Sequence, residues 1–187
     1  MSTTSLRPAR ILSLDPGTKK MGFALLDGDM LVRYGVRNIK KRLDKTRSKR
    51  NVAGIDLIEN FKPNVVILGK LTHPERKKNP ILKILTNQIK RFALRKGIEV
   101  QEIDLAAARK LLIKDRRPTK MNVAVLITAI YPELSAYLPQ KGRILWTHKD
   151  IYWMNMFDAL TLALAYLRKR KRGKDTSTYL TIKSKTL

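Results

Sequence analysis

The chain has 187 residues, of which 40 are Lys or Arg and 15 are Asp or Glu, for a formal charge of +25. That length suits one domain with a real core, and 43% apolar residues exclude wholesale disorder. The absence of cysteine excludes a disulfide framework, a thiolate nucleophile and any Cys-based metal centre, and His73 and His148 are too few for a His-rich one.

No apolar run approaches the ~18–20 residues of a membrane span. No apolar stretch follows the first basic residues as in a secretory signal. A soluble intracellular protein is expected, of the cytoplasm, the nucleoid or an organelle matrix, with no membrane partner. Charge of this size is the electrostatic footprint of a nucleic-acid binder. It is also clustered: nine bases against Asp44 between Arg33 and Arg50, nine against Glu75 between Lys70 and Lys96, and six in the seven positions Arg168–Lys174.

Residues 1–9 read as a flexible lead. Arg10–Asp15 reads as a strand stopped by Pro16-Gly17, and Met21–Leu26 as a second. Asp27-Gly28-Asp29 is a hairpin signal of the kind that favours positive φ, and Met30–Val36 is a third strand. The period then changes: Val52, Ile55, Leu57, Ile58 and Phe61 recur at helical spacing within Leu43–Phe61. Asn64–Leu68 is a continuous apolar run, as in a strand buried on both faces. Pro80–Arg95 is an amphipathic helix closed by Lys96-Gly97, and Ile98–Ile103 returns to strand.

Two shorter helices are predicted near Leu105–Ile113 and Thr119–Ala129. The stretch Pro132–Asp150 reads as irregular, Ile151–Leu167 as the last helix, and residues 169–187 as a basic tail. The order β-β-β-α-β-α-β-α-α-α predicts an α/β fold. Its sheet is mixed and five-stranded, an antiparallel three-strand meander plus two parallel strands, flanked by helices.

Two carboxylates stand out. Asp15 ends the first strand, and sites in such sheets form outside the carboxyl ends of the strands. It suits a hard cation such as Mg²⁺, or a turn-forming role before Pro16-Gly17. Asp158 interrupts the apolar stretch Met154–Leu164 and shares a helix face with Asn155 and Thr161. A buried carboxylate needs a compensating charge, from a metal ion or a basic side chain.

Leu14-Asp15-Pro16-Gly17-Thr18 followed by Gly22-Phe23-Ala24 resembles the opening of RuvC-type Holliday-junction resolvases, of the RNase H-like superfamily. The resemblance continues at Val65–Leu68, at Arg117-Pro-Thr-Lys120 and at Asn155-Met-Phe-Asp158-Ala159. It covers residues 10–168 in order. It implies an RNase H-like, RuvC-like nuclease domain over those residues. The implied activity is that of a homodimeric, Mg²⁺-dependent endonuclease that nicks a four-way DNA junction, with Mn²⁺ as substitute ion.

Carried over by position, Asp15 and Asp158 match metal-ligating acids, and Lys120 matches a base near the scissile phosphate. Two positions depart from the pattern. Gly69 stands where a catalytic Glu is expected, and Asn155 where the first acid of the helical pair falls. Asn155 can still ligate metal through its carbonyl oxygen, without charge. Two divalent ions would normally draw on more than two carboxylates; of the remaining acids Asp150 is the better substitute and Glu75 the poorer.

Gly69 is then an engineered silencing substitution, a natural loss of chemistry, or a sign that another acid fills the site. Lys70, Arg76, Lys77 and Lys78 follow the fourth strand, and Arg116, Arg117 and Lys120 open a later helix. Together they form the expected phosphate-contacting set. Trp146, Tyr152 and Trp153 suit base stacking or, more simply, packing. The competing functions are an inactive RNase H-fold protein with a structural role, for instance in a ribosome or other RNA particle, and a nuclease acting on RNA or RNA–DNA hybrids.

Overall fold

A computed structural model describes residues 9–39, 53–72, 74, 78–113, 118–139 and 147–183, the last twelve as backbone alone. Its strands are β1 (Arg10–Pro16), β2 (Lys20–Asp27), β3 (Met30–Asn38), β4 (Val65–Gly69) and β5 (Glu99–Ile103). The helices are α1 (Ala53–Phe61), α2 (Pro80–Arg95), α3 (Leu105–Leu112), α4 (Lys120–Ile130) and α5 (His148–Lys183), with a 3₁₀ helix over Pro132–Tyr137.

The five strands form one sheet in the order β3-β2-β1-β4-β5, with β1–β2 and β2–β3 antiparallel and β1–β4 and β4–β5 parallel. This is the mixed α/β arrangement expected from the element order. The β2–β3 turn places Gly28 at φ 65°, a left-handed conformation that a side chain would strain. Tyr131, after α4, braces this turn by donating its hydroxyl to the Asp29 carbonyl at 2.7 Å, and burial pushes its phenol up to about 12.

The parallel strands need crossovers, and α1 and α2 supply them on one face while α3, α4 and α5 cover the other. Side chains alternate accordingly. Leu12, Leu14, Val66 and Leu68 join Leu57, Leu85 and Ile89 in one buried cluster, and Ile11, Val65 and Ile67 join Ala108, Ile127 and Leu160 in the other.

The same alternation aims Asp15 and Gly69 at the α5 face, because they follow Ser13 and Ile67 by two residues. Two local features hold α5 there. Ser13 Oγ, fully buried, donates to the Ala159 carbonyl at 2.7 Å. Gly22 lets the helix backbone close in: a Cβ at that position would lie 1.8 Å from the Asn155 carbonyl oxygen.

The expected order of elements stands, and the expected bounds change in three places. The last helix begins at His148 and continues to Lys183, well past the predicted Leu167. Apolar periodicity ends near Leu167 because packing ends there. Lys and Arg are good helix formers, and no proline follows, so the backbone ladder carries on through most of the expected tail. The irregular stretch after Tyr131 contains the 3₁₀ helix. Of the first predicted helix, Ala53–Phe61 is described; residues 43–52 lie outside the described residues, as do 1–8 of the expected lead.

Candidate active site

A cavity of about 580 Å³ opens at the carboxyl ends of β1 and β4, and its walls include Asp15, Lys70, Arg109, Lys120, Asn155 and Asp158. Residues far apart in sequence thus meet: the end of the first strand, the start of α4 and the first third of α5. Asp15 is 5% exposed and Asp158 is 3% exposed.

Asp158 is held by two bases. Its Oδ1 accepts from Arg109 Nη2 and its Oδ2 from Lys120 Nζ, each at 2.7 Å. Lys120 reaches it because Thr119 caps α4, accepting from the Asn122 amide at 3.1 Å, which puts Lys120 in the first turn. Arg109, absent from the sequence-derived candidates, comes from the buried side of α3, its side chain 16% exposed and its Nε buried with no hydrogen-bond partner. The signal was present: Leu105, Arg109 and Leu112 share one stripe of α3, so an Arg stood on an apolar face just as Asp158 did. Two opposite charges stranded on apolar faces are natural partners.

Gly69 ends β4 opposite Ile103 of β5, and a Cβ there would lie 2.7 Å from Asp15 Oδ1. The glycine is therefore directly beside Asp15. The Asp15 carboxylate leans into the space that a side chain at position 69 would claim.

Asn155 lines the cavity, but its amide nitrogen donates back to the Ile151 and Tyr152 carbonyls of its own helix, each at 3.1 Å. A ligand would meet its carbonyl oxygen. Asp150 belongs to the start of α5: its Oδ2 accepts from Thr147 N at 2.8 Å and Oγ1 at 2.7 Å, a reciprocal cap rather than part of the cavity lining. Asp104, an acid absent from the sequence-derived candidates, also lines the cavity. It caps α3, its carboxylate accepting from Ala107 N at 2.7 Å and from the Thr72 hydroxyl, and these bonds hold it below the usual carboxylate range.

Of the predicted phosphate contacts, Lys70 and Lys120 line the cavity and Lys78 is exposed near the start of α2. Arg76, Lys77, Arg116 and Arg117 lie outside the described residues, as do His73, Glu75 and Trp146. Tyr152 and Trp153 pack. Trp153 sits 4.4 Å from the Tyr137 ring and 4.9 Å from Tyr152, whose hydroxyl donates to the Val36 carbonyl at 3.1 Å.

Among the described residues, no group of three or more His, Asp or Glu side chains is gathered to hold a metal ion. Asp15, Asp104 and Asp158 line the cavity, but Arg109 and Lys120 already neutralise Asp158 and Asp104 caps α3. A divalent ion would have to draw Asp158 away from those bases. A second ion would find glycine and an amide where it needs acids.

The mixed five-stranded sheet with its flanking helices is an RNase H-like fold. The chain is similar to RuvC of Thermus thermophilus, at 16% identity over 88% of this chain and 96% of that one, with a TM-score of 0.60. Against the same protein in complex with a Holliday junction substrate the TM-score is 0.63. The yeast mitochondrial Holliday junction resolvase Ydc2 is similar at 14% identity over 92% of this chain and 83% of that one, with a TM-score of 0.59. No family model and no curated protein matches the chain. Among the described residues, no helix is long and apolar enough to cross a membrane.

Proposed function

We propose that the chain is a resolvase-like endonuclease that recognises branched DNA, above all four-way junctions, and that hydrolysis is impaired in this form by Gly69. The observation that carries this reading is the meeting of Asp15, Asn155 and Asp158 with Lys70 and Lys120 in one cavity at the strand ends. The domain that does this spans residues 10–168.

Asp15, Asp158 and the Asn155 carbonyl would hold Mg²⁺, or Mn²⁺ in its place. That ion supplies activation of water and charge stabilisation at the scissile phosphate when bound. Lys70, Lys78 and Lys120, with Arg76, Lys77, Arg116 and Arg117, position the phosphate backbone without reading sequence. Two symmetric incisions require two sites related by a two-fold axis, so the working unit is a homodimer. Ile81 and Ile84 on α2, 43% and 57% exposed, suit a helix-to-helix contact between copies.

The salt-bridged state of Asp158 favours a second reading. Arg109 and Lys120 already neutralise this acid without a metal ion, as in a binding protein that keeps the fold and the nucleic-acid surface but does no chemistry. Such a protein would act structurally, on RNA as readily as on DNA.

Cleavage of a labelled four-way junction with Mg²⁺ or Mn²⁺ separates the two when this chain is compared with its Gly69→Glu variant. The endonuclease reading predicts binding by both and symmetric cutting by the variant, with the Asp15 carboxylate displaced to admit the new side chain. If neither cuts, the binding reading replaces it.

A further inference from the structure

The described molecule has a second cavity, of about 650 Å³, at the opposite end of the sheet, where β1, β4 and β5 begin. Arg10, Lys62 and Arg170 line it, together with Asp27, Asn64 and Glu99. Helix α5 links the two ends: it passes Asp15 at Asn155–Asp158, bonds to Ser13 at Ala159, and reaches the start of β1 at Arg170.

Burial along α5 changes sharply there. Arg168 still belongs to the body, its guanidinium donating to the Leu111 and Leu112 carbonyls at 2.8 and 3.1 Å and so closing the end of α3. Lys169, Arg170 and Lys171 are exposed, and the helical backbone continues to Lys183. The acids nearby offset only part of this charge. Asp27 is engaged by Arg10 through two hydrogen bonds, of 2.7 and 2.9 Å, so that pair is neutral. Glu99, hydrogen-bonded to the neutral Gln101 amide at 2.9 Å, keeps its charge opposite Lys62 and Arg170. Lys171 meets the Asp29 carboxylate only at 3.8 Å, both groups being more than 70% exposed.

Lys169, Arg170 and Lys171, all exposed, stand beside a cleft that Lys62 lines, and together they leave a positive face complementary to a phosphate backbone. We infer that this end of the molecule, Lys169–Lys171 with the cleft beside them, is a second contact for a duplex arm of the DNA held at the candidate active site. The inference rests on the branched-DNA reading above. From Asp15 to Arg10 is about 17 Å at strand rise, so at about 3.4 Å per base pair the contact begins about five base pairs from the junction centre.

The test is a triple variant carrying Lys169→Gln, Arg170→Gln and Lys171→Gln. All three side chains are exposed, and Arg168, which closes α3, is kept. Circular dichroism melting checks that the variant folds as the parent does.

Binding is measured by fluorescence anisotropy across a salt series on three probes. These are a four-way junction with arms of about 18 base pairs, one with arms of about 3 closed by a neutral linker, and a linear duplex of about 18, lengths set by the rise of about 3.4 Å. The inference expects the variant to weaken on the long-armed junction and the linear duplex. Its salt slope there should be shallower by about 2–3, at about 0.9 for each phosphate no longer neutralised. Short-armed binding should stay within about twofold. An equal weakening on all three probes, or none on any, overturns the arm contact. A parent chain that binds the linear duplex as tightly as the junction overturns the branched-DNA reading instead, while the variant on that duplex still decides the contact.

Discussion

The two ends of the sheet use charge in opposite ways. At the carboxyl end, Asp158 is 3% exposed and takes one hydrogen bond from Arg109 and one from Lys120. At the amino end, Arg10 meets Asp27 through two bonds, yet the side chains are 43% and 22% exposed. Geometry alone would rank these pairs together. Burial separates them: a desolvated carboxylate depends on its partners, whereas water and salt can replace a partner at the surface. The Asp158 charge is therefore tied to the fold, whereas the Arg10–Asp27 pair can be exchanged for water and salt.

The sharpest way to break this contrast is to move α5. Gly22→Ala would place a Cβ 1.8 Å from the Asn155 carbonyl oxygen, and a backbone atom cannot turn aside. A loss of about 3 kcal/mol or more is expected in urea unfolding. Nucleic-acid affinity in the surviving folded fraction should fall too, because Asn155 and Asp158 shift together. A variant as stable as the parent would mean that α5 does not sit against β2.

Next comes Asp158→Ala. It strands Arg109 on an apolar face, and the expected loss is about 3 kcal/mol, again read from urea unfolding. An acid crowded by other acids while awaiting a metal ion would behave oppositely, and its removal would stabilise the chain. The sign of the change thus tests the salt-bridged state directly.

The smallest effect belongs to Asp27→Asn. The Arg10 guanidinium holds the Asp27 carboxyl below its usual value. The pair's contribution is therefore present above the ordinary Asp pKa, near about 4, and disappears as pH falls through the lowered one. The variant should melt slightly below the parent at neutral pH, with the difference fading in high salt and as pH falls through the lowered Asp27 value. A difference that survives high salt would make this pair as structural as Asp158.

Much of the fold was legible because hydrophobic period reports which face is buried. Pro80–Arg95 matches its predicted bounds, since Asn79 and Pro80 start that helix and Lys96-Gly97 end it. The end of α5 was misplaced for the same reason: at Leu167 the packing stops and the helix does not. Asp15, Asn155, Asp158 and Lys120 were legible as candidates, and they do line one cavity. Arg109 stands on the apolar stripe of α3, but so short a helix does not name its partner until it is laid against α5. Tyr152 and Trp153 follow the simpler of their two readings and pack.

The sequence by itself determined the order of the elements, the alternation that puts Asp15 and Gly69 on one face, and the large positive charge. These follow from local chemistry, from turn residues, and from apolar residues seeking a core. Only the tertiary structure decided which charges are neutralised. A carboxylate's state depends on its burial and on the few atoms within hydrogen-bond distance. For Asp158 those atoms come from Arg109 and Lys120, brought to it by the packing of α3 and α4 against α5.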